Sequence, residues 1–320
     1  MRIVCIDTED QYREIVERDV VAPLRAAGHE FAWIDGGRFD RPEEAIAAAQ
    51  GFDGLYIIGD QGPLPTGLLE QTPSLRLVSF VGTGARRFVD MNEAERAGVT
   101  VTNVPDFASQ SVAEHAIALM FAVARRVVEG DGIVRSGAWA KNQGLKLAGS
   151  RIGVVGAGAI GGRVIRLAKG LGMEPVYWSR TVDPARSAAL GAEQVSLEEL
   201  FETSRVVSVH LTHSPETDRL VSRDLLARLR ADAIFVNTAR AEVVDGEALD
   251  ELLDAGRIFG AGIDVFTEEP PATDGLPAIA SNVVLTPHIG FHTDEADDVF
   301  RLAAENILAF AAGEPTNVIH

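Results

Sequence analysis

RIGVVGAGAIGGRVIRLAKGLG, residues 151–172, is the stretch on which the fold turns. A short apolar run ends in Gly156-Ala157-Gly158-Ala159-Ile160-Gly161, and a helical pattern follows to about Leu171. Such a glycine pattern carries weight only between a strand and a helix, and both neighbours are in place here. Gly156 permits the tight turn, Gly158 lets backbone amides approach a pyrophosphate, and Gly161 allows close helix packing. The helix start at Ala159 and Ile160 then turns its partial positive charge toward the phosphates.

Working outward, RIGVVG is the first of six strand candidates; PVYW, VVSVHL, AIFVN, IFGAGIDV and NVVLT follow. Six strands with helices between them make a complete dinucleotide-binding sheet. Upstream, MRIVCI, FDGLYIIG and LRLVSF are further apolar strands, and the segment Gln11 to Ala27 is amphipathic. Continuous apolar strands alternating with helices imply parallel sheets covered on both faces, an α/β chain. A length of 320 residues calls for two domains. The pattern changes near residue 103, where Ser109 and Ser111 are candidate N-caps of a long helix running to the arginines at 125 and 126. The last amphipathic segment, ending at Gly313, packs back on the first domain in this reading.

Composition narrows the function classes. Hydrophobic content of 46% and charged content of 24% are those of a globular protein. The most apolar segment, VAEHAIALMFAVARR, carries Glu114 and His115 and reads as a buried helix rather than a membrane span. The start reads as a strand and not as a signal peptide. With 47 acidic and 29 basic residues, the net charge of −18 argues against nucleic acid and anionic membrane as partners. A single cysteine, Cys5, fits a reducing cytoplasm.

The second strand of the dinucleotide unit selects the cofactor. An acidic residue at its end would bond the free ribose hydroxyls of NAD, but the sequence reads VYWSRTVDP, with Ser179 and Arg180 there. A hydroxyl and a guanidinium suit a 2′-phosphate, so NADP is expected. In the alternative, Arg180 is merely exposed and Asp183 reaches back to the ribose of NAD. His210 and Thr238, at the ends of later strands, are counted with the cofactor contacts.

Three segments supply chemistry. Arg240 follows AIFVN, Asp264 and Glu269 follow IFGAGI, and His288 follows NVVL. In a doubly wound sheet these loops converge at the carboxyl ends of the strands. An arginine can hold a carboxylate with forked hydrogen bonds and polarise the adjacent carbonyl. A histidine can donate a proton to the new hydroxyl, and a glutamate on its other nitrogen would fix the tautomer. His288 and His292 are four apart, as in helical metal pairs, but Pro287 and Gly290 argue against a helix, so no metal is expected.

With these segments in view, the chain resembles the D-isomer-specific 2-hydroxyacid dehydrogenases, of the glyoxylate/hydroxypyruvate reductase kind. VTNVP, SVAEHAIALMFA, GVVGAGAIG, VNTAR, DVFTEEP and LTPHIG occur in that family's order over essentially the whole length. The resemblance implies a Rossmann domain, residues 104–290, inserted in a flavodoxin-like substrate domain, residues 1–103 plus 291–320. It implies Arg240 as the substrate-binding arginine, Glu269 as the histidine's partner, His288 as acid/base and Asp264 beside the nicotinamide. It also implies a homodimer using the helix near Ser111 to Arg126.

For substrate, the loop Gly82-Thr83-Gly84 after LRLVSF is a nest for an anion, and Thr83, Gly84 and Ala85 are the family's carboxylate contacts. Arg86 and Arg87 depart from the Asp or Asn of many relatives; either they read a second anionic group or they face solvent or a neighbouring subunit. Phe291 is placed to close the pocket. His292 either backs the site from behind or starts the final helix, or it is a substrate contact. The expected reaction is reduction of a small anionic 2-oxo acid to the D-2-hydroxy acid and its reverse. The alternatives are oxidation of formate or phosphite on the same scaffold and a nucleotide-sensing corepressor.

Overall fold

The computed structural model describes residues 1–7, 12–34, 39, 41–59, 62–272 and 282–319, so Gln11 lies outside the described residues. Two compact units form, Met1–Phe107 with Asp294–His320, and Ala108–Thr293.

The first unit is built on β1 (Arg2–Cys5), β2 (Glu30–Trp33), β3 (Gly54–Ile57), β4 (Leu77–Phe80) and β5 (Thr100–Thr102). They run parallel in the order β2-β1-β3-β4-β5, with the terminal strand Val318–Ile319 antiparallel on the outer edge of β5. This is the flavodoxin-type order. β3 and β4 are buried at every position, as expected where helices cover both faces. Between β1 and β2 the chain is helical from Arg13 to Ala26, with a π-turn over Glu17–Val21. Val16, Val20 and Leu24 from it share one apolar cluster with Val299, Phe300, Ala303 and Ile307 of the final helix, Asp298–Ala311. Two hydroxyls complete the docking: Tyr56 donates to the Phe300 carbonyl at 3.0 Å and Ser79 to that of Ala303 at 2.8 Å. Gly313, at φ 84°, ends that helix in the left-handed turn that glycine adopts without steric cost.

The second unit holds β6 (Arg151–Val155), β7 (Glu174–Trp178), β8 (Glu193–Gln194), β9 (Val206–Val209), β10 (Ile234–Asn237), β11 (Gly260–Ile263) and β12 (Val283–Leu285). All are parallel, in the order β8-β7-β6-β9-β10-β11-β12. The sheet thus has the dinucleotide-binding order with one strand added beyond the sixth. Sequence reading named no strand at β8, a two-residue edge strand with no apolar run to announce it, nor at β2, β5 or Val318–Ile319 in the first unit.

The helix Ser109–Ala124 differs from expectation at both ends. It starts without a side-chain cap, and Ser111 instead donates to the Ala108 carbonyl at 3.1 Å. It stops short of Arg126, whose left-handed φ of 51° starts a separate helix, Val127–Arg135. The helix lies close over β11 because that strand carries glycines. A Cβ on Gly262 would sit 2.8 Å from the Leu119 Cβ, and one on Gly260 would sit 2.2 Å from the Asn282 carbonyl oxygen.

Candidate active site

The carboxyl ends of the second unit's strands carry every polar group considered for chemistry there. At the end of β6, Gly156 has φ 97°, and a Cβ on it would lie 2.6 Å from the His210 carbonyl oxygen. A Cβ on Gly161 would lie 1.9 Å from the Gly156 carbonyl oxygen, so both positions demand glycine. Gly158 is the opposite case, with no described atom within 4 Å of its Cβ position. The helix Ala159–Gly170 starts there without a side-chain cap, leaving its first N–H groups for an anion or solvent. Nearby strand ends hold two orphaned polar atoms: His210 Nδ1 and Thr238 Oγ1 are buried with no hydrogen-bond partner among the described residues. Native proteins seldom leave such atoms unpaired. The open ground at Gly158, the uncapped helix and the orphaned atoms together fit a dinucleotide. His210 is half-buried as a residue, but its Nδ1 is sealed from water, and burial lowers the ring's pKa to about 3. Its Nε2 pairs with Ser208 Oγ at 2.8 Å.

Beyond β7, Ser179 Oγ accepts a hydrogen bond from Arg186 Nη1 at 3.1 Å, and Arg180 is exposed. Asp183 is engaged elsewhere, its Oδ1 capping the helix Pro184–Leu190 through the amides of Ala185 and Arg186 at 3.0 and 3.1 Å.

At the end of β10, the Asn237 side chain makes a turn. Its Oδ1 accepts from the Ala239 amide and its Nδ2 donates to the Arg240 carbonyl, each at 3.0 Å. Arg240 follows, half-buried, with Nη1 2.5 Å from the Ala239 carbonyl. Asn237 pairs with Ile263 and Ile263 with Leu285, so the loops carrying Arg240, Asp264 and His288 leave one edge side by side. His288 and Glu269 meet directly, Nδ1 to Oε2 at 2.8 Å. The other carboxylate oxygen, Oε1, accepts the Phe266 amide at 3.0 Å. With Nδ1 donating to the carboxylate, Nε2 is the nitrogen left for proton transfer.

His288 has a left-handed φ of 54°. Asp264, 1% exposed, accepts from Thr286 Oγ1 at 2.6 Å and from the amides of Ile289 and Gly290 at 3.0 and 2.9 Å. Burial pushes its carboxyl up, but the hydrogen bonds from His115, Thr286 and the two amides outweigh that and hold it below the usual carboxylate range. Phe291 presents its ring to His288 edge-on at 6.0 Å and is exposed. His292, beside it, sits in a turn whose amide reaches the Ile289 carbonyl. The final helix begins only at Asp298, so His292 is not a helix-start residue; the polar stretch from Thr293 forms turns before the apolar stripe begins.

In the first unit, the loop after β4 places Gly82 at φ 144°, and Asn103 Nδ2 donates to the Thr83 carbonyl at 2.8 Å. Thr83 is exposed, Gly84 half-buried and Ala85 buried. Arg86 and Arg87 are exposed, and Arg86 lines a hollow of about 460 Å³ with Met91, Glu95 and Val318. Among the described residues no cluster suited to a metal ion occurs, and no helix is long and apolar enough to cross a membrane.

A family model for the D-isomer specific 2-hydroxyacid dehydrogenase NAD-binding domain matches residues 117–290. Glyoxylate reductase of Thermococcus litoralis is 40% identical over 264 residues, 79% of this chain and 79% of its own. The chain belongs to the D-isomer-specific 2-hydroxyacid dehydrogenases. Among solved structures, TT0316 protein from Thermus thermophilus is 35% identical at a TM-score of 0.85, covering 100% of both chains. NADPH-dependent glyoxylate/hydroxypyruvate reductase from Sinorhizobium meliloti, solved with citrate, is 28% identical at a TM-score of 0.85, covering 99% of this chain and 97% of that one.

Within this D-2-hydroxyacid dehydrogenase, four site residues escaped sequence reading. Arg186 stands three residues past the capping Asp183, a helix-face spacing that could have marked it. Asn237 closes a strand and looks like any turn former. Thr286 sits inside LTPHIG but drew no notice beside the histidine. His115 lies in an apolar helix, and nothing in the sequence says that it meets Thr286 Oγ1 at 3.0 Å.

Proposed function

We propose that this protein is an NADPH-preferring reductase of small 2-oxo acids, glyoxylate among them, forming the D-2-hydroxy acid and catalysing the reverse oxidation. The observation that carries the reading is the His288–Glu269 pair braced by the Phe266 amide. When bound, the nicotinamide cofactor supplies hydride to the carbonyl carbon. Arg240 holds the substrate carboxylate and polarises the carbonyl. The proton moves from His288 Nε2 to the carbonyl oxygen, so the C=O π bond is replaced by C–H and O–H. Glu269 keeps the imidazole in its tautomer. Phe291 and His292 border the substrate, and Asp264 would be among the residues that hold the nicotinamide when it is bound.

NADP rather than NAD is supported by Ser179 and Arg186 in contact, Arg180 exposed beside them, and Asp183 occupied by its own helix. Homodimer formation is supported by the helix Val127–Arg135, which buries no residue and exposes Val127, Val128 and Val134, and by Trp139 at 83% exposed. Sedimentation analysis is expected to give twice the chain mass; a monomer would refute the assembly.

The deciding experiment follows NADPH and NADH oxidation with glyoxylate, hydroxypyruvate, pyruvate and branched or dicarboxylic 2-oxo acids, and NAD(P) reduction with formate and phosphite. Turnover of 2-oxo acids that is lost in His288→Gln supports the proposal. Turnover of formate or phosphite alone, or of nothing, overturns it.

A further inference from the structure

The left-handed backbone of His288 is a sparsely populated conformation for a residue with a side chain, and it persists only where its surroundings over-determine it. Those surroundings converge on one carboxylate. Asp264 accepts the Ile289 and Gly290 amides, on the C-terminal side of His288, and the Thr286 hydroxyl on the N-terminal side. The loop is thereby closed around the strained residue.

One further group reaches this knot from outside the loop. His115, on the helix Ser109–Ala124 and 18% exposed, brings Nε2 to 3.0 Å from Thr286 Oγ1 and 3.3 Å from Asp264 Oδ1. Thr286 gives its only hydrogen to Asp264, so toward His115 it can act only as an acceptor, and Nε2–H must be the donor. The packing there has no slack, since a Cβ on Gly290 would lie 3.0 Å from Asp264 Oδ2 and 3.4 Å from His115 Cδ2. We infer that His115 is a positioning residue for the reaction: its Nε2–H ties Thr286 and Asp264 to the helix and so holds the His288 loop in its productive conformation. This inference rests on the role proposed for His288. His115 has no described contact with His288, so it acts through the loop rather than on the substrate.

The test compares His115→Phe, which fills similar space without a donor, with His115→Gln, whose amide can reach the same acceptors. His115→Phe is expected to lower kcat on glyoxylate by about 10- to 100-fold, the usual consequence of a misplacement near 1 Å. KM for glyoxylate should stay within about threefold, because His115 itself has no role in holding the substrate. Hydrogen exchange of the 286–290 segment should accelerate by at least about tenfold as its tether is lost. His115→Gln should restore kcat to within about threefold and restore protection. Thr286→Val, which cuts the same link from the loop side, should reproduce the phenylalanine variant.

A merely packed histidine predicts the reverse ranking, with phenylalanine tolerated and glutamine poor, and that ranking would overturn the inference. So would unchanged exchange protection in His115→Phe, or faster exchange with kcat intact. If the wild type turned over no 2-oxo acid while the exchange contrast persisted, the proposed reaction would fail and the tether would stand.

Discussion

Replacing Glu269 with glutamine isolates the charge of the His288 partner from its geometry. The glutamine amide keeps one acceptor oxygen; turned toward His288 Nδ1–H it preserves the tautomer and leaves the Phe266 amide to solvent. What disappears is charge assistance in the 2.8 Å contact. A hydrogen bond to a charged group contributes about 1.5–3 kcal/mol and a neutral one about 0.5–1.5, a difference of about 1–1.5 kcal/mol. The side chains are 33% and 30% exposed, so solvent screening trims this to about 1 kcal/mol. At 1.4 kcal/mol per factor of ten, glutamine should lower kcat on glyoxylate about fivefold. Glu269→Ala removes the acceptor for Nδ1 altogether and should fall by roughly a hundredfold, the lower end of the range for a lost general acid. The assay is steady-state NADPH oxidation with saturating substrate, alongside thermal melting. The reasoning is refuted if glutamine equals wild type, if the loss lies wholly in KM, or if alanine and glutamine are equally impaired.

Other expectations concern cofactor choice and pH. Combined Arg180→Ala and Arg186→Ala should cut kcat/KM for NADPH by about 10- to 100-fold, in keeping with lost charge-assisted bonds to a phosphate, and leave NADH within about twofold; parallel losses with both cofactors would count against the 2′-phosphate site. His210 is held neutral in the fold, with a pKa of about 3 against an ordinary 6.5. Between those values the unfolded chain binds more protons than the folded one, so this residue makes stability rise with pH and its contribution is complete above pH 6.5. The slope is at most about 1.4 kcal/mol per pH unit. His210→Gln should flatten denaturant midpoints between about pH 4 and 6.5, and an unchanged slope would refute the assignment.

Much of the architecture was legible because it rests on local pattern. The apolar runs of β3, β4, β6, β9 and β10 could be read as strands buried on both faces. Gly156 and Gly161 could be read because only a glycine fits where another backbone passes within van der Waals distance, and that constraint is written in the residue itself. Arg240, Glu269 and His288 were legible because their placement after strands, in a parallel sheet, puts them at one edge whatever the details. The helix ends were less readable: Ser109 and Ser111 looked like caps, yet local backbone geometry left Ser109 within the helix and turned Ser111 onto Ala108.

What the sequence determined by itself is the alternation of strands and helices that makes parallel sheets, the glycine loop and the residue types available for chemistry, since these follow from periodicity and from steric demands within a few residues. Only the tertiary structure decided which side chains pair. Asp264, Thr286 and His115, 171 positions apart at the extremes, meet only because β11 carries glycines where the helix must lie close. Hydrogen bonds act over about 3 Å in space without regard to separation along the chain, and no linear pattern records them.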